Sequence, residues 1–218
     1  MRKHRKDYYF QKAKEENYRS RAAYKLDQAN EKFLFIAPGD VVLDLGAAPG
    51  GWLRVIKKIV GSKGFVLGVD LTEIEQFEFA NIVTIVGDIS ASETRDRVVA
   101  ILPRKADVVT SDMSPNVSGI WEVDHARQID LAEKSLQIAI SVLKENGNFF
   151  VKVFQGELFN RFLNTMRKCF SEVKVIKPKA SRKQSAEIYI LGIGLKSQVR
   201  QADSLKVYSF SFSLSLSL

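Results

Sequence analysis

The chain has 218 residues, 45% hydrophobic and 27% charged, with a formal net charge of +8. That length supports one domain with a core of its own; the lone Cys169 excludes an internal disulfide, and with only two histidines no zinc or other metal site is expected. No apolar run reaches the roughly 18 residues needed to cross a bilayer, so a membrane-spanning chain is excluded as well.

The N-terminus, Met1-Arg2-Lys3-His4-Arg5-Lys6, has no apolar stretch behind it, so no secretory signal is expected and the reading is cytoplasmic. Residues 1–25 carry nine Lys/Arg against three acids, and residues 144–183 carry ten against three, which leaves the remainder net acidic. Two basic blocks around an acidic middle suggest a polyanion track beside a small-molecule pocket, although a merely solvated basic surface would have the same composition.

Apolar Ala22, Leu26, Ala29 and Phe33 recur at helical spacing and predict an amphipathic helix. Pro38-Gly39-Asp40 ends it, and Val41 to Leu45 reads as a short buried strand. A glycine-rich turn (46–51), a helix over about 52–60 and a turn at Gly61-Ser62-Lys63-Gly64 follow. Three further apolar runs, Phe65 to Val69, Ile82 to Val86 and Asp107 to Thr110, each lead to an acid: Asp70, Asp88 and Asp112. Asp124 to Lys144 predicts a long helix, stopped by Lys144-Glu145-Asn146-Gly147. The rest reads as strand Asn148 to Phe154, a helix over about 157–170, and strands Val173 to Ile176 and Glu187 to Leu195. Alternation of strands and helices predicts an α/β fold with a mostly parallel seven-stranded sheet, its last strand antiparallel because no helix separates it from its predecessor. Residues 1–196 are expected to form a single domain with a basic N-terminal segment, and residues 197–218 a tail.

In such sheets ligands bind beyond the carboxyl ends of the strands. There the sequence places Asp44-Leu45-Gly46-Ala47-Ala48-Pro49-Gly50-Gly51-Trp52 and the acids Asp70, Asp88 and Asp112. Small residues let the backbone pass close to a ligand, and Asp70 can accept hydrogen bonds from both hydroxyls of a ribose. The spacing of Gly46, Gly50 and Gly51 does not fit the Gly-x-Gly-x-x-Gly of dinucleotide folds, which argues against a dehydrogenase. A loop flanked by carboxylates suits a cationic sulfonium better than a pyrophosphate. Lys152 is the conspicuous misfit, a charge inside Phe149-Phe150-Val151-Lys152-Val153-Phe154. A central parallel strand is buried on both faces, and lysine is seldom buried without a partner. Asp112 ends a neighbouring strand, Lys25 borders the apolar stripe of the first helix, and Glu187 opens the last strand.

The run Tyr18-Arg19-Ser20-Arg21-Ala22-Ala23-Tyr24-Lys25-Leu26 resembles the N-terminal signature of the FtsJ/RrmJ family of RNA 2′-O-methyltransferases. So do the glycine-rich loop, Ser111-Asp112-Met113-Ser114-Pro115-Asn116-Val117-Ser118-Gly119, Val151-Lys152-Val153-Phe154 and Ser181-Arg182-Lys183-Gln184-Ser185-Ala186-Glu187. Together these motifs span about residues 18–195 in the family's order. The resemblance implies a Rossmann-like fold dependent on S-adenosylmethionine, a catalytic tetrad of Lys25, Asp112, Lys152 and Glu187, and a cofactor site of Gly50, Trp52, Asp70, Asp88 and Asp112. It implies an RNA partner, with a uridine of large-subunit rRNA as the first expectation, the tRNA anticodon loop as the second and a catalytically silent RNA-binding subunit as the third. Lys152 would be the general base, unless its carboxylate neighbours keep it charged, in which case it would orient the hydroxyl and stabilise the alkoxide. The alternating tail Ser209 to Leu218 has no counterpart in the family pattern.

Overall fold

The computed structural model describes residues 8–16, 18–182 and 184–199. The basic residues before Tyr8, Lys183, and the tail from Arg200 onward lie outside the described residues.

In chain order the elements are α1 (Tyr8–Glu15), α2 (Ala23–Phe33), β1 (Val41–Leu45), α3 (Gly51–Val60), β2 (Phe65–Asp70) and β3 (Ile82–Val86). They continue with α4 (Ser92–Ile101), β4 (Ala106–Ser111), α5 (Trp121–Val142), β5 (Leu143–Phe154), α6 (Phe159–Cys169), β6 (Phe170–Ile176) and β7 (Glu187–Leu195). One seven-stranded sheet runs β3-β2-β1-β4-β5-β7-β6. The first five strands pair in parallel. β7 inserts between β5 and β6 and runs antiparallel to both. The expected sheet is thus present, including its antiparallel last strand.

The central strands are covered on both faces, which is why their sequences are apolar almost without interruption. In β1 all five residues are buried, and alternation sends Leu43 and Leu45 to one core, Val42 to the other. The first core packs α5 and α6 on the sheet through Ile129, Ala132, Leu136 and Phe162. The second packs α2 and α3 through Leu26, Trp52, Leu53 and Ile56. In α3 the buried Trp52, Val55, Ile56 and Val60 follow helical spacing, while Arg54, Lys57 and Lys58 do not join them.

Two helices were not expected from the sequence. α1 lies within the N-terminal basic segment, where charge masks its periodicity, and α4 buries only Thr94 and Val98, too few positions to set a visible period. α5 starts at Trp121 and passes directly into β5, so the expected stop at residues 144–147 becomes an irregular strand entry. Asn146 there takes the left-handed conformation, and a Cβ on Gly147 would crowd Leu143 and the Asp107 carbonyl.

The chain leaves β1 toward β2 and β3, then returns to β4 on the other side of β1. That reversal opens a crevice beyond the carboxyl ends of β1 and β4.

Candidate active site

A cavity of about 310 Å³ fills this crevice, with Gly46, Asp70, Asp88, Asp112 and Met113 among its walls. Gly46 is left-handed, and a Cβ there would stand 2.4 Å from the Met113 side chain, so only glycine fits the turn as built. The Asp70 carboxylate shapes the floor: it accepts hydrogen bonds from Ala48 N at 3.0 Å and Thr72 N at 2.8 Å. Asp88 likewise accepts from Ser90 N at 2.8 Å. A carboxylate has about four lone-pair sites, so Asp70 can also take hydroxyl donors from a ligand.

The donor set fits S-adenosylmethionine. Three carboxylates complement a cationic ligand with ribose hydroxyls, and Leu71, Ile89, Met113 and Leu131 give apolar walls for a flat base. Gly50 and Trp52 stand outside these walls. Gly50 takes φ 100° at the start of α3, where a Cβ would strike the Phe77 ring. Trp52 is buried, donates Nε1–H to the Ala22 carbonyl at 2.8 Å and stacks on Phe150.

Beside the cavity the four tetrad residues form two ion pairs. Lys152 Nζ donates to the Asp112 carbonyl at 2.6 Å and to Ser114 Oγ at 2.5 Å, and lies 3.1 Å from Asp112 Oδ1. Lys25 Nζ bridges both Glu187 oxygens, at 2.7 and 2.8 Å. The two lysine side chains are only 5% and 8% exposed. Their placement follows from the sheet: Lys152 is directly opposite Tyr189, and Phe154 opposite Glu187, so these four side chains share one face of β5 and β7.

Tyr189, which sequence reasoning passed over, joins the two pairs. Its hydroxyl donates to Asp112 Oδ1 at 2.7 Å, and Lys25 Nζ lies 5.7 Å from its ring centre. Burial, then the charges of Asp112 and Glu187, pushes its pKa up, so the phenol keeps its proton and remains a donor. The period of two from Glu187 along the last strand is the signal that could have found it. Ser181 Oγ completes the frame by donating to Glu187 Oε1 at 2.9 Å.

Asp112 is therefore shared: it walls the cavity and holds the lysine. An electrophile in the cavity and a hydroxyl at Lys152 Nζ would be neighbours. A buried cation that spends two N–H bonds on the chain can give the third to that hydroxyl and stabilise negative charge on its oxygen.

The seven-stranded sheet with its reversed last strand is the architecture of the Rossmann-like methyltransferases; fibrillarin of Methanocaldococcus jannaschii shares the fold at a TM-score of 0.53 and 17% identity, over 75% of this chain and 70% of that one. A sequence model of the FtsJ-like methyltransferase family matches residues 18–195, and the chain belongs to that family. The ribosomal RNA large subunit methyltransferase E of M. jannaschii is 50% identical over 190 residues, 86% of this chain and 78% of the relative. Its counterpart in Methanothrix thermoacetophila is 54% identical over 192 residues, 88% of this chain and 74% of the relative. A structure described as a ribosomal RNA methyltransferase of Plasmodium falciparum superposes with a TM-score of 0.72 at 26% identity, covering 82% of this chain and 98% of that one.

Proposed function

We propose that this methyltransferase moves the methyl group of S-adenosylmethionine to a ribose 2′-hydroxyl of large-subunit ribosomal RNA, with a uridine as the first candidate, in the cytoplasm. The observation that carries the reading is the shared Asp112, which joins a cofactor-sized cavity to a buried lysine. The names of the two relatives at 50% and 54% identity support the choice of RNA. Among the described residues no helix is long and apolar enough to cross a membrane.

Asp70 and Asp88 would hold the cofactor, which supplies an electrophilic methyl group when bound. Lys152 receives the hydroxyl at Nζ, with Asp112 and Ser114 fixing its direction. Glu187 holds Lys25 near the Tyr189 ring, and Tyr189 fixes Asp112. Two N–H bonds of a Lys152 ammonium go to the Asp112 carbonyl and Ser114 Oγ, which leaves the third for the hydroxyl oxygen; with the Asp112 carboxylate 3.1 Å away, this arrangement favours orientation and charge stabilisation over proton abstraction by Lys152 itself.

Labelled S-adenosylmethionine offered with large ribosomal subunits, free rRNA and tRNA tests the proposal. Label expected in large-subunit RNA should survive alkaline hydrolysis within a dinucleotide, since a 2′-O-methyl group blocks cleavage of the following linkage. Label confined to tRNA would reassign the substrate, and label on a base would overturn the ribose as acceptor.

A further inference from the structure

The loop from β4 to α5 and the first residue of α5 present three apolar side chains to solvent in close succession: Val117, Ile120 and Trp121, with Trp121 45% exposed. The loop is held in place. The Asp124 carboxylate accepts from Ser118 N at 2.7 Å, Ser118 Oγ at 2.8 Å and Gly119 N at 3.1 Å. Gln128 donates to the Met113 carbonyl at 3.2 Å and to that of Lys152 at 3.1 Å. Ser114, at the other end of the same loop, is a partner of Lys152 Nζ.

Trp121 lies over two further rings, Phe154 at 6.0 Å and 20° and His125 at 5.7 Å and 19°. Phe154 fixes where this stack stands. It follows Lys152 by two residues on β5, on the same face and about 6.6 Å along the strand, and its cross-strand partner is Glu187. Phe154, on which Trp121 stacks, is thus in the next row of side chains after Lys152 and Tyr189. His125 supports it as a neutral ring: burial pushes its pKa down, and Nε2 accepts from Leu158 N at 3.0 Å.

We propose that Trp121 is a stacking platform for a nucleobase of the RNA strand whose ribose reaches Lys152. The proposal rests on the RNA reading above and goes beyond it by assigning a contact to the base. Continuity with the catalytic row argues for this occupant, because a ribose at Nζ puts its own base or the adjoining one within reach of the next row. Base–aromatic stacking tolerates any base, so the platform contributes affinity and placement, with sequence choice made elsewhere.

The chain has two tryptophans, and Trp52 is buried at 3% exposure, so quenching of emission by added RNA reports Trp121. Hexauridylate and hexacytidylate should both quench, whereas an abasic ribose-phosphate hexamer of equal charge should not. Trp121→Ala should weaken binding of either base-bearing hexamer roughly 5- to 100-fold. Affinity for the abasic hexamer and for S-adenosylmethionine should not change, and Trp121→Phe should restore most of the loss. Residual Trp52 emission and an unchanged melting temperature verify the fold of the Ala variant. Equal binding of base-bearing RNA by wild type and Ala variant, or equal binding of base-bearing and abasic hexamers by wild type, would overturn the platform. If the bases quench and the Ala variant binds them weakly while wild type methylates no ribose, the platform stands and the proposed reaction fails.

Discussion

At the amino end of β4, Asp107 accepts a hydrogen bond from Val41 N at 2.7 Å and pairs with Arg104 at 2.6 Å and Lys144 at 2.5 Å. At its carboxyl end, Asp112 pairs with Lys152 and Tyr189. The first acid is buried while its cations are about half exposed, 50% and 48%. In the second the cation is the more buried partner, and the acid walls a cavity. Burial alone would raise the Asp107 pKa, but hydrogen bonds from Arg104, Lys144 and Val41 outweigh it and hold the carboxyl below its usual range. Asp107 thus closes the amino ends of β4 and β1 beneath half-exposed cations, with its partners within hydrogen-bonding distance. At Asp112 the chain keeps a lysine out of water, a costly arrangement that is sustained by partners and suited to a reacting atom. An acid–cation pair becomes informative about function when the cation is the buried member.

The largest effect should come from the carboxyl end. Lys152→Ala is expected to lower turnover by about 10² or more, the scale of a lost acid–base or charge-stabilising group. Binding of cofactor and RNA should stay within a few-fold, because the contact is realised mainly in the transition state. Lys152→Arg separates the two roles: arginine keeps the charge but cannot act as a base near neutral pH. A substantial residual rate in the Arg variant supports charge stabilisation; an Arg variant as inactive as Ala makes Lys152 the base. Full activity in both, measured by single-turnover methyl transfer, would reduce the two ends of β4 to the same structural kind.

At the amino end the expected loss is in stability alone. Asp107→Ala leaves Val41 N without its side-chain acceptor and ends two ion pairs, which solvent around Arg104 and Lys144 already screens. A loss of about 2 kcal/mol is expected in urea unfolding, with turnover unchanged. The sign of the pH dependence follows from the lowered pKa: the contribution is present above the unfolded value of 3.8 and is lost as pH falls toward the native one. A variant equally stable at pH 7 and crippled in methyl transfer would reverse the assignment of the two ends.

The sequence made one end far more legible than the other. Lys152 and Lys25 stood out because a charge inside an apolar pattern needs a reason, and Asp70, Asp88 and Asp112 because each follows an apolar run. Tyr189 did not, since a tyrosine in an apolar strand looks like ordinary core; its hydroxyl matters only through a residue 77 positions away. Gly50 and Trp52 fall in the right motif, yet sequence adjacency cannot tell a cavity wall from the packing behind it. The place of β7 between β5 and β6 was equally hidden, because an apolar strand pattern does not say which neighbours the strand will pair with. Asp107 attracted no notice, for its partners come from three separate segments.

Asp44, on β1 beside β4, sharpens the comparison as a buried acid held by a neutral partner. Thr110 Oγ1 donates to its Oδ1 at 2.7 Å, while Oδ2 is buried with no hydrogen-bond partner among the described residues. Burial raises its pKa well above 3.8; the Thr110 hydrogen bond opposes this, and the charges of Asp112 and Asp70 add to it. The folded chain therefore keeps a proton that the unfolded chain releases above pH 3.8, so this group's contribution to stability falls as pH rises. Asp44→Asn has the same shape, can still accept from Thr110 and does not titrate. Its stability relative to wild type should climb from about pH 4 upward, by at most about 1.4 kcal/mol per pH unit, and level off once the native carboxyl ionises. His125 and Asp107 titrate in both proteins and cancel from the difference. Unfolding curves at pH 4 to 8 measure it, and a flat difference would mean that Asp44 is charged in the folded chain. The requirement for a buried cation would then fail as the distinction between the two ends of β4, because a buried carboxylate would be tolerated with no cation at all.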